Sequence, residues 1–366
     1  MDEEQLRQHR RHRTTAPPIV DHCDDALVVA RLGVPDVQHR LERMRILVLG
    51  GTRFLGRHVV GSALERGHDV TLFNRGQTRP ELFPDVERLR GDRDGDLSAL
   101  HGLAYDAVVD TSGYVPRIVA RTIDALGDVG HYTFVSTISV YADLTTPPTE
   151  SSPVRELERP TEEWQEAYGE LKADCEDVVR ERIADPFILR PGLIVGPWDP
   201  TGRFTYWPER IATGGDVLAP APPEASAQVI DGRDLADWIV RAAENGTTGT
   251  YNAVDHPTTR ASVFETCADV SGSDAALVWV DGDFLAANDV GEWMELPLWL
   301  HEDEHRGMLS IEPMAAFAAG LETRPLADTV RDTLDWARSS EAPTEAPAGL
   351  AREKERVVLD AWRSKE

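Results

Sequence analysis

Residues 45–56 read Arg-Ile-Leu-Val-Leu-Gly-Gly-Thr-Arg-Phe-Leu-Gly, and no other stretch limits the fold as much. Ile46 to Leu49 are four apolar residues in a row, as in a strand buried on both faces. Gly50-Gly51 follows at once. A helical spacing then opens with Phe54, Leu55, Val59, Val60, Ala63 and Leu64. Strand, glycine turn and helix start, in that order, aim backbone N–H groups and the positive end of a helix at a phosphate. Arg53 stands where dinucleotide-binding loops usually place a glycine.

The chain has 366 residues, 41% of them hydrophobic and 28% charged, which leaves room for a large core and a second domain. No apolar run approaches the ~20 residues that span a bilayer. The run Ala26 to Ala30 is too short for the core of a signal peptide, so the expected location is the cytoplasm. Cys23, Cys175 and Cys267 lie too far apart for a disulfide framework or for metal-ligand spacing. No metal site is expected. The net charge of -26 argues against nucleic acid as a partner, because cations meeting phosphates supply most of that affinity. Lysine occurs only at 172, 354 and 365, so 35 of the 38 basic residues are arginines. An acidic, arginine-rich surface fits adaptation to salt, and it equally fits a high-GC genome.

Residues 1–43 are rich in Arg, His and Asp, with little periodicity, and read as an N-terminal extension or a misassigned start. From Met44 the pattern alternates. Strand-like runs at 46–49, 69–73, 107–109, 133–135 and 187–189 are separated by helical patterns near 54–66, 116–127 and 161–183. This alternation predicts an α/β fold, a Rossmann-type doubly wound parallel sheet, over residues 44–255. Its ligand belongs at the carboxyl ends of the strands. Residues 196–230, rich in proline, glycine and aromatics, are expected to contribute to a substrate cleft. A smaller α+β substrate-binding region is expected at 256–340, and a linker and final helix at 341–366.

The second strand ends in Asn74-Arg75-Gly76, where a dinucleotide fold meets the adenosine ribose. A carboxylate there favours NAD and an arginine accommodates a 2′-phosphate. With Arg75 present and Arg53 nearby, NADP is the favoured cofactor and NAD the alternative. The other reading leaves both arginines as solvated surface residues. In Gly91-Asp92-Arg93, Asp92 accepts from the adenine amino group or caps the helix that follows. Tyr168 and Lys172 are four residues apart, on one face of a helix. Lys172 is the one lysine in the body of an arginine-rich chain. A compact ammonium can bond ribose hydroxyls and lower the pKa of a nearby phenol.

Taken together, the glycine turn at 50–56, Ser136-Thr137-Ile138-Ser139-Val140-Tyr141, Tyr168 to Lys172, Arg190-Pro191 through Gly196-Pro197, and Val229 to Ala236 resemble the extended or atypical short-chain dehydrogenase/reductases. That group includes nucleotide-sugar epimerases and dehydratases. The resemblance spans residues 44–340. It implies Tyr168 as acid/base, Lys172 on the nicotinamide ribose, and Thr137 on the reacting oxygen, with Ser139 as a second substrate contact. It implies that Gly50, Thr52, Phe54, Leu55 and Gly56 cradle the pyrophosphate, joined by Arg53. Around them, Asn74, Arg75, Asp92, Arg93, Thr111, Ser112, Pro191 and Ile194 complete the expected cofactor site. The implied activity is hydride transfer on a sugar or nucleotide-sugar, by a homodimer. Arg53 and the turn at Val109 to Gly113 depart from the usual pattern. The alternative is a non-catalytic NADP-binding relative acting as an RNA-binding or regulatory protein, since Thr-Arg-Phe in the turn also resembles plant relatives that bind RNA.

His301-Glu-Asp-Glu-His305 matches the spacing H-E-x-x-H, but three successive acids after Pro297-Leu-Trp-Leu read as a solvated acidic loop. Trp198, Phe204, Tyr206 and Trp207, with Arg203 and Arg210, follow the sixth strand. Arg203 and Tyr206 are therefore candidate substrate contacts, with ordinary loop packing as the competing reading.

Overall fold

The computed structural model describes residues 43–301, 303–339, 341–342 and 348–365. The extension expected at 1–43 lies outside them except for Arg43, which pairs with Asp69. The first strands are β1 (Arg45–Leu49), β2 (Asp69–Asn74), β3 (Glu87–Arg90), β4 (Tyr105–Asp110), β5 (Val129–Val135) and β6 (Phe187–Pro191). Then come β7 (Ile194–Val195), β8 (Asp216–Pro220), β9 (Ser226–Ala227), β10 (Ile230–Asp231), β11 (Gly249–Ala253), β12 (Thr258–Thr259) and β13 (Ala276–Val280). Helices are α1 (Phe54–Glu65), α2 (Pro116–Ala125), α3 (Tyr168–Arg182), α4 (Tyr206–Ala212), α5 (Gly232–Asn245), α6 (Arg260–Ser271), α7 (Gly282–Ala287), α8 (Met314–Ala318), α9 (Leu326–Ala337) and α10 (Arg352–Lys365).

Seven strands make one sheet in the order β11-β6-β5-β4-β1-β2-β3. Every pairing in it is parallel. The run at 46–49 is buried on both faces because the sheet is sandwiched. Ile46 and Val48 pack in one core with α1 and α5, while Leu47 and Leu49 pack in another with α2 and α3. Strand order reverses between β1 and β4, and a crevice at that switch point receives ligands in such sheets.

A second core gathers Phe204, Trp207, Val217, Phe264, Val280, Val330 and Leu359. It draws on residues 193–229 and on the final helix, as well as on the expected 256–340. The chain returns to the sheet in between, as α5 and β11. Two carboxylates tie these parts together. Asp231 caps α5, accepts from the side chain of Arg233 and takes the hydroxyl of Thr329 at 2.8 Å. Asp234 holds Arg324 through both its backbone N–H and its Nε, at 2.9 and 2.7 Å. The late family-like segment at 229–236 therefore joins α5 to α9. Among the described residues no helix is long and apolar enough to cross a membrane.

Candidate active site

Gly50 (φ +113°) and Gly51 (φ +88°) turn the chain through conformations that other residues resist. A Cβ on Gly51 would lie 2.5 Å from Leu72 Cδ2, and one on Gly56 would lie 2.8 Å from the Gly51 nitrogen. The turn and α1 are thus packed too closely for side chains. Helix α1 starts after Arg53 with no side-chain cap and no acid in its first turn. Its first N–H groups keep their donors for an anion, so the cradle fits the pyrophosphate of a dinucleotide. Arg53 and Arg75 are exposed, and their side chains make no hydrogen bond or ion pair among the described residues. Arg53 acts electrostatically on Tyr114 and Asp199, so it faces the cleft.

Several expected cofactor contacts are engaged in shaping this cradle. Asn74 donates to the Gly50 carbonyl at 2.8 Å and accepts from Gly76 at 2.9 Å. The hydroxyls of Thr111 and Ser112 both donate to the Leu49 carbonyl, at 3.0 and 3.2 Å. Asp92 accepts the Asp94 N–H at 3.1 Å within its own loop, and no helix starts there for it to cap. Arg93 grips Asp110 with two nitrogens, at 2.7 and 2.6 Å. Tyr206 packs against Trp207 and Gly349, in the second core. The polar ends of Arg93 and Tyr206 are therefore directed into the fold: a guanidinium facing a buried carboxylate stays with it, and a ring filling a core gap stays packed.

Helix α3 begins at Tyr168, where the sequence pattern suggested an earlier start near 161. Residues 161–167 are irregular chain with a single turn at 164–166 instead. Tyr168 and Lys172 thus open the helix, at the carboxyl ends of β4 and β5. Lys172 is only 3% exposed. Its Nζ donates to the carbonyls of Gly113 and Val135, at 2.8 and 2.5 Å, and lies 4.3 Å from the centre of the Phe134 ring. Burial lowers its pKa to about 8, against support from Asp110 and Glu176. The Thr137 hydroxyl caps the short 3₁₀ turn Ile138–Val140, accepting from the Ser139 N–H at 3.1 Å and donating to the Ser139 hydroxyl at 3.2 Å. Burial pushes that phenol up to about 12, helped by Tyr114 and opposed by Thr137 and Arg203. The expected lowering of the phenol by Lys172 is absent, because the ammonium is turned onto two carbonyls. The cation that acts on the phenol is Arg203.

Residues without a recognisable spacing complete the cleft. Tyr114 and Trp164 are 38% and 41% exposed, with ring centres 5.0 Å apart, and Tyr114 is 6.3 Å from Tyr168. Asp199 is buried, and both its oxygens accept from Thr201. Below the site Asp110 is fully buried, held by Arg93 and by the Tyr132 hydroxyl at 3.2 Å. Ile194 and Phe54 approach the Cα of Gly232, and Pro191 ends β6. A separate cavity of about 650 Å³ opens among Arg260, Trp299 and Ser310 and holds none of the expected site residues. His301 pairs with Asp283 at 3.2 Å, and residues after it form a 3₁₀ turn instead of the helix a metalloprotease needs. Among the described residues no cluster could hold a metal ion.

This geometry agrees with comparisons to known proteins. Over residues 46–253 the chain matches the model of the NAD dependent epimerase/dehydratase family. It is 27% identical to the Arabidopsis thaliana chloroplast stem-loop binding protein of 41 kDa b, over 55% of each chain. It is 32% identical to the 2-alkyl-3-oxoalkanoate reductase of Stenotrophomonas maltophilia, over 43% of this chain and 52% of that one. The chain thus spans about half the length of these curated relatives. Among solved structures it is similar to the Bordetella bronchiseptica enzyme WbmH, crystallised with NAD+ (18% identity, 81% and 99% coverage, TM-score 0.60). It is similar also to the UDP-glucuronic acid 4-epimerase of Bacillus cereus (16% identity, 80% and 98% coverage, TM-score 0.59). These likenesses carry the fold. The family model covers more than half of the sequence, and the chain belongs to the NAD dependent epimerase/dehydratase family of enzymes.

Proposed function

We propose that this enzyme is an NADP-dependent oxidoreductase or epimerase acting on a sugar or nucleotide-sugar, with Tyr168 as its acid/base. The observation that carries the reading is the phenol of Tyr168 at the start of α3. It stands near Thr137 and one helical turn before Lys172, at the carboxyl ends of the strands beside the switch point. A dinucleotide bound across that crevice supplies a hydride donor or acceptor. Tyr168 gives a proton to the substrate oxygen or takes one from it, and Thr137 orients the phenol. Lys172 fixes the floor of the site by holding the Gly113 and Val135 carbonyls together. Ser139 stands within 3.2 Å of Thr137 as a second hydroxyl for the substrate.

The preference for NADP rests on Arg53 and Arg75, two exposed guanidinium groups at the rim of the cradle. Reduction and epimerisation share the same hydride step. The name of the Stenotrophomonas relative, a reductase, supports the first, and that of the Bacillus enzyme, an epimerase, supports the second. The stem-loop binding name of the Arabidopsis relative points to RNA, which the charge of -26 disfavours.

The test is cofactor turnover by wild type and Tyr168→Phe with a panel of nucleotide-sugars. The variant is expected to bind NADP as wild type does and to lose about 10²-fold or more in turnover. Undiminished turnover would remove Tyr168 from the reaction. Salt-sensitive RNA binding with no turnover on any sugar would replace the enzyme reading altogether.

A further inference from the structure

We infer that Tyr114 and Trp164 form a two-ring platform that stacks against a C–H face of the substrate's sugar ring and holds its reacting carbon beside Tyr168. The inference rests on the assignment of Tyr168 to that carbon.

The first support is exposure. The chain has nine Trp, seven Tyr and nine Phe residues, all among the described residues, and only Tyr114 and Trp164 are exposed. Leaving large rings in water forgoes the gain from burying them, and exposed apolar surface of this kind marks a binding site. The second is position. The two exposed rings are neighbours, with centres 5.0 Å apart, and the Tyr114 ring centre lies 6.3 Å from that of Tyr168, with 38° between the planes of both pairs. Tyr114 therefore bridges Trp164 to the phenol that exchanges the proton. The third is fixation. Arg117, at the start of α2, bonds Glu162 with two nitrogens, each at 2.8 Å, and Asp94 at 2.6 Å. That ties down the irregular segment two residues before Trp164. At Tyr114, Lys172 Nζ donates to the Gly113 carbonyl at 2.8 Å and lies 5.4 Å from the centre of the Tyr114 ring. Rings held in place before the ligand arrives cost less ordering on binding.

The edges of the rings point to the same occupant. Neither the Tyr114 hydroxyl nor the Trp164 indole N–H makes a hydrogen bond among the described residues. Each ring thus pairs an apolar face with a donor at its edge. A sugar ring has the matching make-up, C–H bonds across its faces and hydroxyl oxygens around its rim. An alkyl chain or a flat aromatic ring would use the faces and leave both donors idle.

The experiment measures binding by calorimetry to the full chain loaded with NADP+. The probes are UDP-glucose and UDP-galactose, each compared with UDP, which lacks the sugar ring. Wild type is expected to bind at least one of the two more tightly than UDP, by about 10-fold or more. Trp164→Leu and Tyr114→Leu keep an apolar side chain and remove the flat face. Each should lower that ratio by about 3-fold or more, with affinities for UDP and NADP+ unchanged. Trp164→Phe and Tyr114→Phe keep a face and should retain most of the ratio, which guards against a folding defect in the leucine variants. Equal affinity of wild type for UDP and for both sugars would overturn the inference. A ratio that survives in both leucine variants would do the same. So would a loss of NADP+ affinity with the ratio intact, because the rings would then serve the cofactor. Tyr168→Phe separates the two assignments. It should keep the ratio and lose turnover. Full turnover in that variant removes the acid/base and leaves the platform to stand on its ratio, whereas a ratio indifferent to the rings removes the platform and leaves the acid/base.

Discussion

Lys172 keeps an ammonium where only 3% of the residue meets solvent, with two carbonyls and no carboxylate bonded to it. Its pKa of about 8 lies below the ordinary 10.5 because burial disfavours the charge. The sign of the consequence for stability follows directly. Above pH ~8 the folded chain releases this proton, while the unfolded chain holds it until pH ~10.5, so the unfolded state binds more protons in that window. The contribution of Lys172 to stability therefore rises with pH from about 8 to 10.5, and it is lost again as pH falls. Denaturation midpoints of wild type, compared with those of Lys172→Met across that range, should show the rise in wild type alone. Tyr168 behaves in the opposite sense. Its phenol is held near 12, so an ultraviolet titration of cofactor-free protein should lose a transition near 12, not 10, in Tyr168→Phe. The type and spacing of Tyr168 and Lys172 were legible in the sequence. The direction of the ammonium was not, because no pattern along the chain tells which carbonyls a buried lysine will find.

Helix α3 shows how a site is placed by residues that never reach it. One turn beyond Lys172, Glu176 is buried and receives Arg190 through two bonds, of 3.0 and 2.6 Å. Arg180 adds a third bond at 2.8 Å, and Arg190 also donates to the Tyr141 hydroxyl at 3.1 Å. The pair pins the helix carrying Tyr168 to β6, and through Tyr141 to the segment carrying Thr137. Glu176→Gln should leave Arg190 without its counter-charge and cost about 3 kcal/mol or more, read by chemical denaturation. Asp110→Asn should do the same to Arg93. The sheet was readable from its strand-helix alternation, because parallel strands buried on both faces are continuous apolar runs. The start of α3 was not, since residues 161–167 carry charges and an aromatic at spacings that a helix would also accept. Tyr114 and Trp164 were invisible for a related reason. They come together only when the loop after β4 meets the segment before α3, and neither belongs to a periodic pattern.

At the scale of the molecule, the cores on the two faces of the sheet share one chain with the core around Trp207, and α10 completes the last of these. Glu355 on that helix is 2% exposed, accepts from the Nε of Arg210 at 2.8 Å and takes the Leu218 N–H at 3.1 Å. Removing its charge in Glu355→Gln strands Arg210 in the interior. We expect a loss of about 3 to 5 kcal/mol, seen as a lower denaturation midpoint. A charge of -26 also means self-repulsion, so added salt should raise the melting temperature. An unchanged melting temperature in molar salt would count against salt adaptation. The second core was not legible as a unit in the sequence, because it collects residues 193–229, 263–330 and 350–362 and has no boundary in the linear order. The scarcity of lysine has a practical side. With Lys172 sealed inside, the remaining ε-amines belong to Lys354 and Lys365, both on α10. Acylating labels and amine-directed surfaces would therefore take hold of this protein through a single helix, apart from its terminal amine. A layer tethered that way would present its molecules in nearly one orientation, with the buried Lys172 untouched by the coupling chemistry.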